Sequence, residues 1–231
     1  MTVHLLKNEP VRFTTAACLA QLLIHCQKLA ASDITLQTGE PVFAEVYGRL
    51  LRITQRKLSN TEVAEILNLI YGPNGSAQIL SGVDIDTHYE FRPNRNERYR
   101  FRVNATGCLV AGHDAIQISF RTIPSTPPKM SDLNLEPQLV DALAPAQGIV
   151  YVTGATGSGK TTLLAAIIRD LAEKTESHRK ILSYEAPIEF VYDTITMPSA
   201  IISQSEIPRH LPSFAAGVRN ALRRKPRLIL V

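Results

Sequence analysis

The sequence predicts an α/β fold, with a parallel sheet in its C-terminal part and a smaller α+β domain ahead of it. Three observations carry this. Strand and helix signals alternate beyond residue 133, as in a parallel sheet with covering helices. Before residue 124, helical periods mix with short alternating strands suited to antiparallel pairing. Between residues 148 and 173 an apolar run, a glycine-rich turn and an amphipathic helix follow one another directly.

Residues 13–29 read as a helix, with Thr14 or Thr15 as its cap and Cys18, Leu19, Leu22, Leu23, Cys26 and Leu29 on its inner side. Residues 33–38 and 42–53 alternate like strands, broken at Gly39-Glu40-Pro41 and at Gly48. A second helix is predicted over 60–71, opened by a Ser59-x-x-Glu62 capping box and stopped by Gly72-Pro73. Strands follow at 87–92, 98–105 and 115–123. The polar, proline-rich stretch 125–129 has the composition of a hinge or of a surface loop, which divides the chain into 1–124, a linker over 125–132, and 133–231. In the last part, 148–153 reads as a buried strand, 161–173 as a helix, 179–184 as a strand, 212–224 as a helix region and 227–231 as a strand.

The chain has 231 residues, a net charge of +4 and three cysteines without metal-ligand spacing. The weak net charge gives no strong indication of nucleic-acid binding, and the odd cysteine count points to reduced thiols in a cytosolic compartment. No stretch has the core of a signal peptide or the length of a membrane span, so membrane association is expected to run through a partner.

The turn after the apolar run is Gly154-Ala155-Thr156-Gly157-Ser158-Gly159-Lys160-Thr161, a complete phosphate-binding P-loop pattern. Its glycines let the backbone curl so that successive N–H groups face phosphate oxygens. Lys160 can reach the β- and γ-phosphates of a nucleoside triphosphate, and the Thr161 hydroxyl can ligate Mg2+. The following helix adds its N-terminus to the site. Glu185, at the carboxyl end of the 179–184 strand, can hold hydrated Mg2+ or polarise water, or can be a solvated strand end; Glu189 can support it or cap a turn. Arg98, Arg100 and Arg102 alternate with Tyr99, Phe101 and Val103, so three guanidiniums share one strand face. With Arg121, that face suits phosphate, an arginine-finger role, plain solvation or, less well, single-stranded nucleic acid. The basic run 223–227 at a helix C-terminus is explained by the helix dipole. The 228–231 strand is of the kind that in P-loop proteins delivers an acidic residue to the metal, and no such residue follows it, so the fold reads as cut short there.

Together these residues resemble the secretion ATPases of the type II/type IV pilus superfamily. The resemblance runs through Ala31-Ser32-Asp33-Ile34 with Gly39-Glu40-Pro41, Arg100-Phe101-Arg102-Val103-Asn104-Ala105, Phe120-Arg121-Thr122-Ile123-Pro124, the P-loop and Tyr184-Glu185-Ala186-Pro187-Ile188-Glu189. That last box usually has an aspartate where this chain has Ala186. Residues 85–95 and 203–212 are similar to the DotB-like ATPases of Dot/Icm secretion and the TraJ-like ATPases of IncI conjugation. The resemblance implies a PAS-like N-terminal domain, a hinge and a RecA-like P-loop ATPase domain truncated at its Walker B strand. It further implies ATP and Mg2+ as cofactors, with Arg102 and Arg121 reaching the phosphates and Glu185 as the acidic-box glutamate. Hexamers at the cytoplasmic face of an inner-membrane type IV secretion complex are implied as the setting, with nucleic acid not a direct ligand. Two rivals stand beside this expectation: an ATP-binding, non-catalytic subunit that regulates an assembly, and an NTPase stimulated by nucleic acid.

Overall fold

A computed structural model describes residues 4–124, 126–143, 145 and 147–231. The chain forms two compact units, Met1–Ile123 and Pro124–Val231. Of the expected linker, Ser125 lies outside the described residues.

In the first unit, helix α1 (Ala16–Lys28) starts where Thr15 accepts the Cys18 N–H at 3.2 Å. Strands β1 (Ala31–Gln37), β2 (Phe43–Val46) and β3 (Arg49–Arg52) form an antiparallel meander. Helix α2 (Asn60–Tyr71) and a short α3 (Gly75–Leu80) precede β4 (Ile85–Phe91), β5 (Tyr99–Val110) and β6 (His113–Thr122). The six strands lie in the order β3-β2-β1-β6-β5-β4, all antiparallel. One sheet face carries Ile34, Leu36, Phe101, Val103, Ile118 and Phe120, which share a core with Leu19, Leu22, Leu23 and Cys26 of α1 and Val63, Ile66 and Leu67 of α2. This is the period-2 and period-3.6 patterning of the sequence realised as packing. α3 escaped the sequence reading because six residues give too little periodicity.

The predicted capping box is only half formed. Ser59 accepts the Glu62 N–H at 3.2 Å, but the Glu62 carboxylate turns away from the cap. It accepts the Phe13 N–H at 2.8 Å and two bonds from Arg56, each 2.7 Å. The Arg56 guanidinium lies 4.9 Å from the centre of the Phe13 ring and 3.2 Å from Glu9. A buried carboxylate requires donors, and Arg56 is a stronger one than a backbone N–H. Hydrogen bonding to Glu62 in turn raises the Arg56 pKa.

In the second unit a 3-10 turn (Met130–Leu133) and a short helix α4 (Pro137–Ala142) lead to α5 (Lys160–Glu173). β7 (Arg179–Glu185), β8 (Ala200–Glu206), α6 (Phe214–Ala221) and β9 (Leu228–Leu230) follow. The three strands are parallel, in the order β8-β7-β9. Ile181 of β7 packs with Ile168 and Ala172 of α5. Leu182 and Tyr184 point the other way and pack with Ala221 of α6. β8 escaped the sequence reading because its serines and Gln204 interrupt the apolar pattern.

Residues 148–153 correct the sequence reading. They form no strand and pair with none of the described strands. Ile149 is 76% exposed and Tyr151 82%. An apolar run is a buried strand only when a ladder partner and a cover exist, and periodicity cannot report either.

Two outcomes test this packing. A Cβ at Gly217 of α6 would stand 2.7 Å from the Tyr184 ring, so Gly217→Ala is expected to destabilise the second unit by roughly 1–3 kcal/mol in chemical denaturation. Burial pushes the Cys26 thiol up to about 12. At pH 8 its reactive thiolate is scarce, so iodoacetamide is expected to spare Cys26 in the native protein and to modify it after unfolding, as read by mass spectrometry.

Candidate nucleotide site

The glycine-rich turn precedes α5 directly, and Lys160 is the first residue of that helix. Gly154, Gly157 and Gly159 all have positive φ, at 158°, 78° and 89°. At Gly154 the backbone conformation favours glycine, and a Cβ would meet the Ser158 Oγ at 2.7 Å, so that exposed side chain would have to rotate away from the turn. Ala155, Thr156 and Ser158 complete an exposed loop. The Lys160 ammonium donates to the carbonyls of Gly154 (3.1 Å) and Ala155 (2.8 Å). It thus lies folded over the same turn whose amides would face an anion.

Thr161 lines a cleft of about 190 Å³ together with Glu185 and Glu189, between the start of α5 and the carboxyl end of β7. Phe190, Tyr192 and Phe214 supply apolar wall. The parallel arrangement brings this about, because the carboxyl ends of β7, β8 and β9 all open on one side. Glu185 accepts Ser183 Oγ at 2.6 Å and Gln204 Nε2 at 3.2 Å. Tyr192 is raised above the ordinary phenol pKa, first by burial and then by the Glu185 charge, so it stays a neutral wall residue. A hydroxyl and two carboxylates beside a glycine turn form a donor set suited to Mg2+ with a triphosphate. Among the described residues, no cluster of three or more His, Cys, Asp or Glu side chains could hold a metal on its own, so the phosphates themselves would have to complete such a site.

Arg102 and Arg121 lie in the first unit as direct cross-strand partners on β5 and β6. Arg102 makes two bonds to Asp86, at 3.2 and 2.6 Å, and Arg121 bonds Asp33 at 2.9 Å. The three arginines of the alternation all meet carboxylates of β4 but differ in burial. Arg100 is 2% exposed and bonds Glu90 at 3.1 Å, and Arg98, just before β5, bonds the same carboxylate at 2.8 Å. Enclosure of Arg100 is tolerable because this carboxylate accepts from it. The basic run after α6 holds Arg224 against Ser203 at 2.9 Å, while Lys180 caps the Arg224 carbonyl at 3.0 Å. Gln204, given no site role by the sequence reading, joins Glu185 through β8; only knowledge of that strand could have found it.

If the Gly154 geometry is required for an anion, Gly154→Ala is expected to weaken binding of a fluorescent ATP analogue at least about tenfold while the thermal melt stays within a few degrees.

Comparisons with known proteins bear on the fold and the family. The X-ray structure of the Legionella pneumophila ATPase DotB is 66% identical with a TM-score of 0.90, over 98% of this chain and 61% of that one. The pilus retraction motor PilT with bound ADP, at 23% identity and a TM-score of 0.76, has the same fold over 95% of this chain and 59% of its own. Among curated relatives, the twitching motility protein of Neisseria gonorrhoeae is 35% identical over 225 residues, covering 94% of this chain and 55% of the relative. The type IV pilus retraction ATPase PilT of Pseudomonas aeruginosa is 33% identical over 213 residues, covering 92% and 58%. The chain therefore spans a little over half the length of these curated relatives. The fold is that of the RecA-like P-loop secretion ATPases. With the type II/IV secretion system protein family matched over residues 15–231, the chain belongs to that family.

Proposed function

We propose that this chain is the ATP-binding part of a motor subunit that powers a type IV secretion or conjugative transfer system. The observation that carries it is the cleft that joins Thr161, Glu185 and Glu189 beside a glycine turn closed by Lys160. The match to the type II/IV secretion system protein family over residues 15–231 supports secretion as the setting.

In this reading Lys160 and the loop amides hold the β- and γ-phosphates, and Thr161 ligates Mg2+. The metal would neutralise charge on the β- and γ-oxygens. Glu185 orders water at that position, with Glu189 in support. Arg102 and Arg121 are assigned to offset charge developing on the γ-phosphate. Their cross-strand pairing and carboxylate partners hold both guanidiniums pre-oriented on one sheet face. Residues 1–124 serve as a PAS-like domain, 125–132 as a hinge and 133–231 as the ATPase domain. The full-length protein works as a hexamer docked, from the cytoplasm, on an inner-membrane secretion complex. No helix among the described residues is long and apolar enough to cross a membrane.

The test is Mg-ATP turnover by the 231-residue chain over a wide protein concentration range, with Lys160→Ala as control. Binding of ATP that disappears in Lys160→Ala is the expected result, and turnover that rises with concentration would mean that Glu185 and Glu189 suffice within an assembling motor. Binding of ATP without turnover would mean that these 231 residues supply the ATP-binding part alone. Loss of any Lys160 dependence, in binding as well as turnover, would overturn the reading.

A further inference from the structure

We propose that Gln204, assisted by Ser183, is a positioning residue that sets the orientation of Glu185 and the turn after it. This rests on the reading of Glu185 as the carboxylate that orders water about the metal. Gln204 lies on β8 and is the register partner of Ser183 on β7. In a parallel pair such partners share a face, and residues two apart on a strand share it too. Ser183, Glu185 and Gln204 therefore stand on one side of the sheet, the side on which Ile181 packs against α5.

The geometry has two parts. Ser183 Oγ and Gln204 Nε2 both donate to the same oxygen, Glu185 Oε1, at 2.6 and 3.2 Å. The same Gln204 nitrogen also donates to the Phe190 carbonyl at 2.8 Å. A single uncharged carboxamide thus ties the end of β7 to the far end of the turn that carries Glu189. A second tie from the same strand comes from Glu206, which is buried and accepts the Ile188 N–H at 3.3 Å. Glu206 fixes the middle of the turn, and Gln204 fixes its end together with the carboxylate.

The chemistry favours an amide here. A carboxylate meant to order water beside a metal must keep one rotation, and a residue that enforces it must donate hydrogen bonds. Lysine or arginine would donate as well, but would add a cation where a metal ion is to bind. Glutamine donates without charge.

Gln204→Met keeps the length of the side chain and removes both donors, and Ser183→Ala removes the other bond to Oε1. The experiment uses the whole 231-residue chain and a fluorescent ATP analogue, titrated with Mg2+ and, separately, measured in EDTA. For Gln204→Met the Mg2+ midpoint is expected to rise about 10–100-fold, the usual cost of losing an outer-shell partner. Ser183→Ala is expected to move it in the same direction by less. Analogue affinity in EDTA should stay within about twofold of wild type, which a general loss of structure would not permit. A Mg2+ midpoint unchanged in both variants, each melting as a folded protein, would overturn the positioning role. Wild-type binding that survives Lys160→Ala would instead overturn the nucleotide-site reading, and the positioning role with it.

Discussion

Parallel pairing of β7 with β8 on one side and β9 on the other is the constraint on which the second unit depends. A parallel strand in the middle of a sheet must bury both faces. β7 does so by alternation: Ile181 faces α5, while Leu182 and Tyr184 face α6. That alternation also decides the chemistry, because Ser183 and Glu185 fall on the same face as Ile181. Glu185 then emerges beside the start of α5, in the cleft that Thr161 lines. On the other face the backbone of α6 comes so close to Tyr184 that only a glycine fits at position 217.

The first unit solves a different problem, that of placing many arginines on and near a sheet. Arg100 is fully enclosed, which is tolerable because Glu90 accepts from it and from Arg98. Arg102 and Arg121 remain nearer the surface, each against an aspartate of a flanking strand. The same principle operates at Glu62, where a buried carboxylate collects Arg56 and a backbone N–H and so joins the N-terminal segment to α2. In each case a charge is kept inside by directed donors or acceptors rather than by general polarity. The two more accessible guanidiniums are held by ion pairs to Asp86 and Asp33 rather than by enclosure.

Much of this was legible without coordinates. The 60–71 helix falls on the residues that the periodicity and its caps predict, since both are local signals. α1, β1 and the β2–β3 hairpin follow from alternation and from Gly39 and Gly48 in the same way. The glycine turn was legible because its conformation is a property of the residues in it: positive φ at Gly154, Gly157 and Gly159 is written in the side chains they lack.

The parts that were not legible depend on partners remote in sequence. Whether 148–153 pairs as a strand depends on a neighbouring strand, and the described sheet offers it none. Whether Arg100 is solvated or enclosed depends on Glu90, ten residues away on the adjacent strand. Gln204 reaches Glu185 only because β8, a strand too polar to announce itself, lies beside β7. The sequence by itself determined the fold class, the family resemblance and the phosphate-binding turn, because each is encoded in contiguous residues. Only the tertiary structure decided which side chains are enclosed and which donors hold Glu185, because burial and hydrogen bonding are relations between segments that local pattern does not contain.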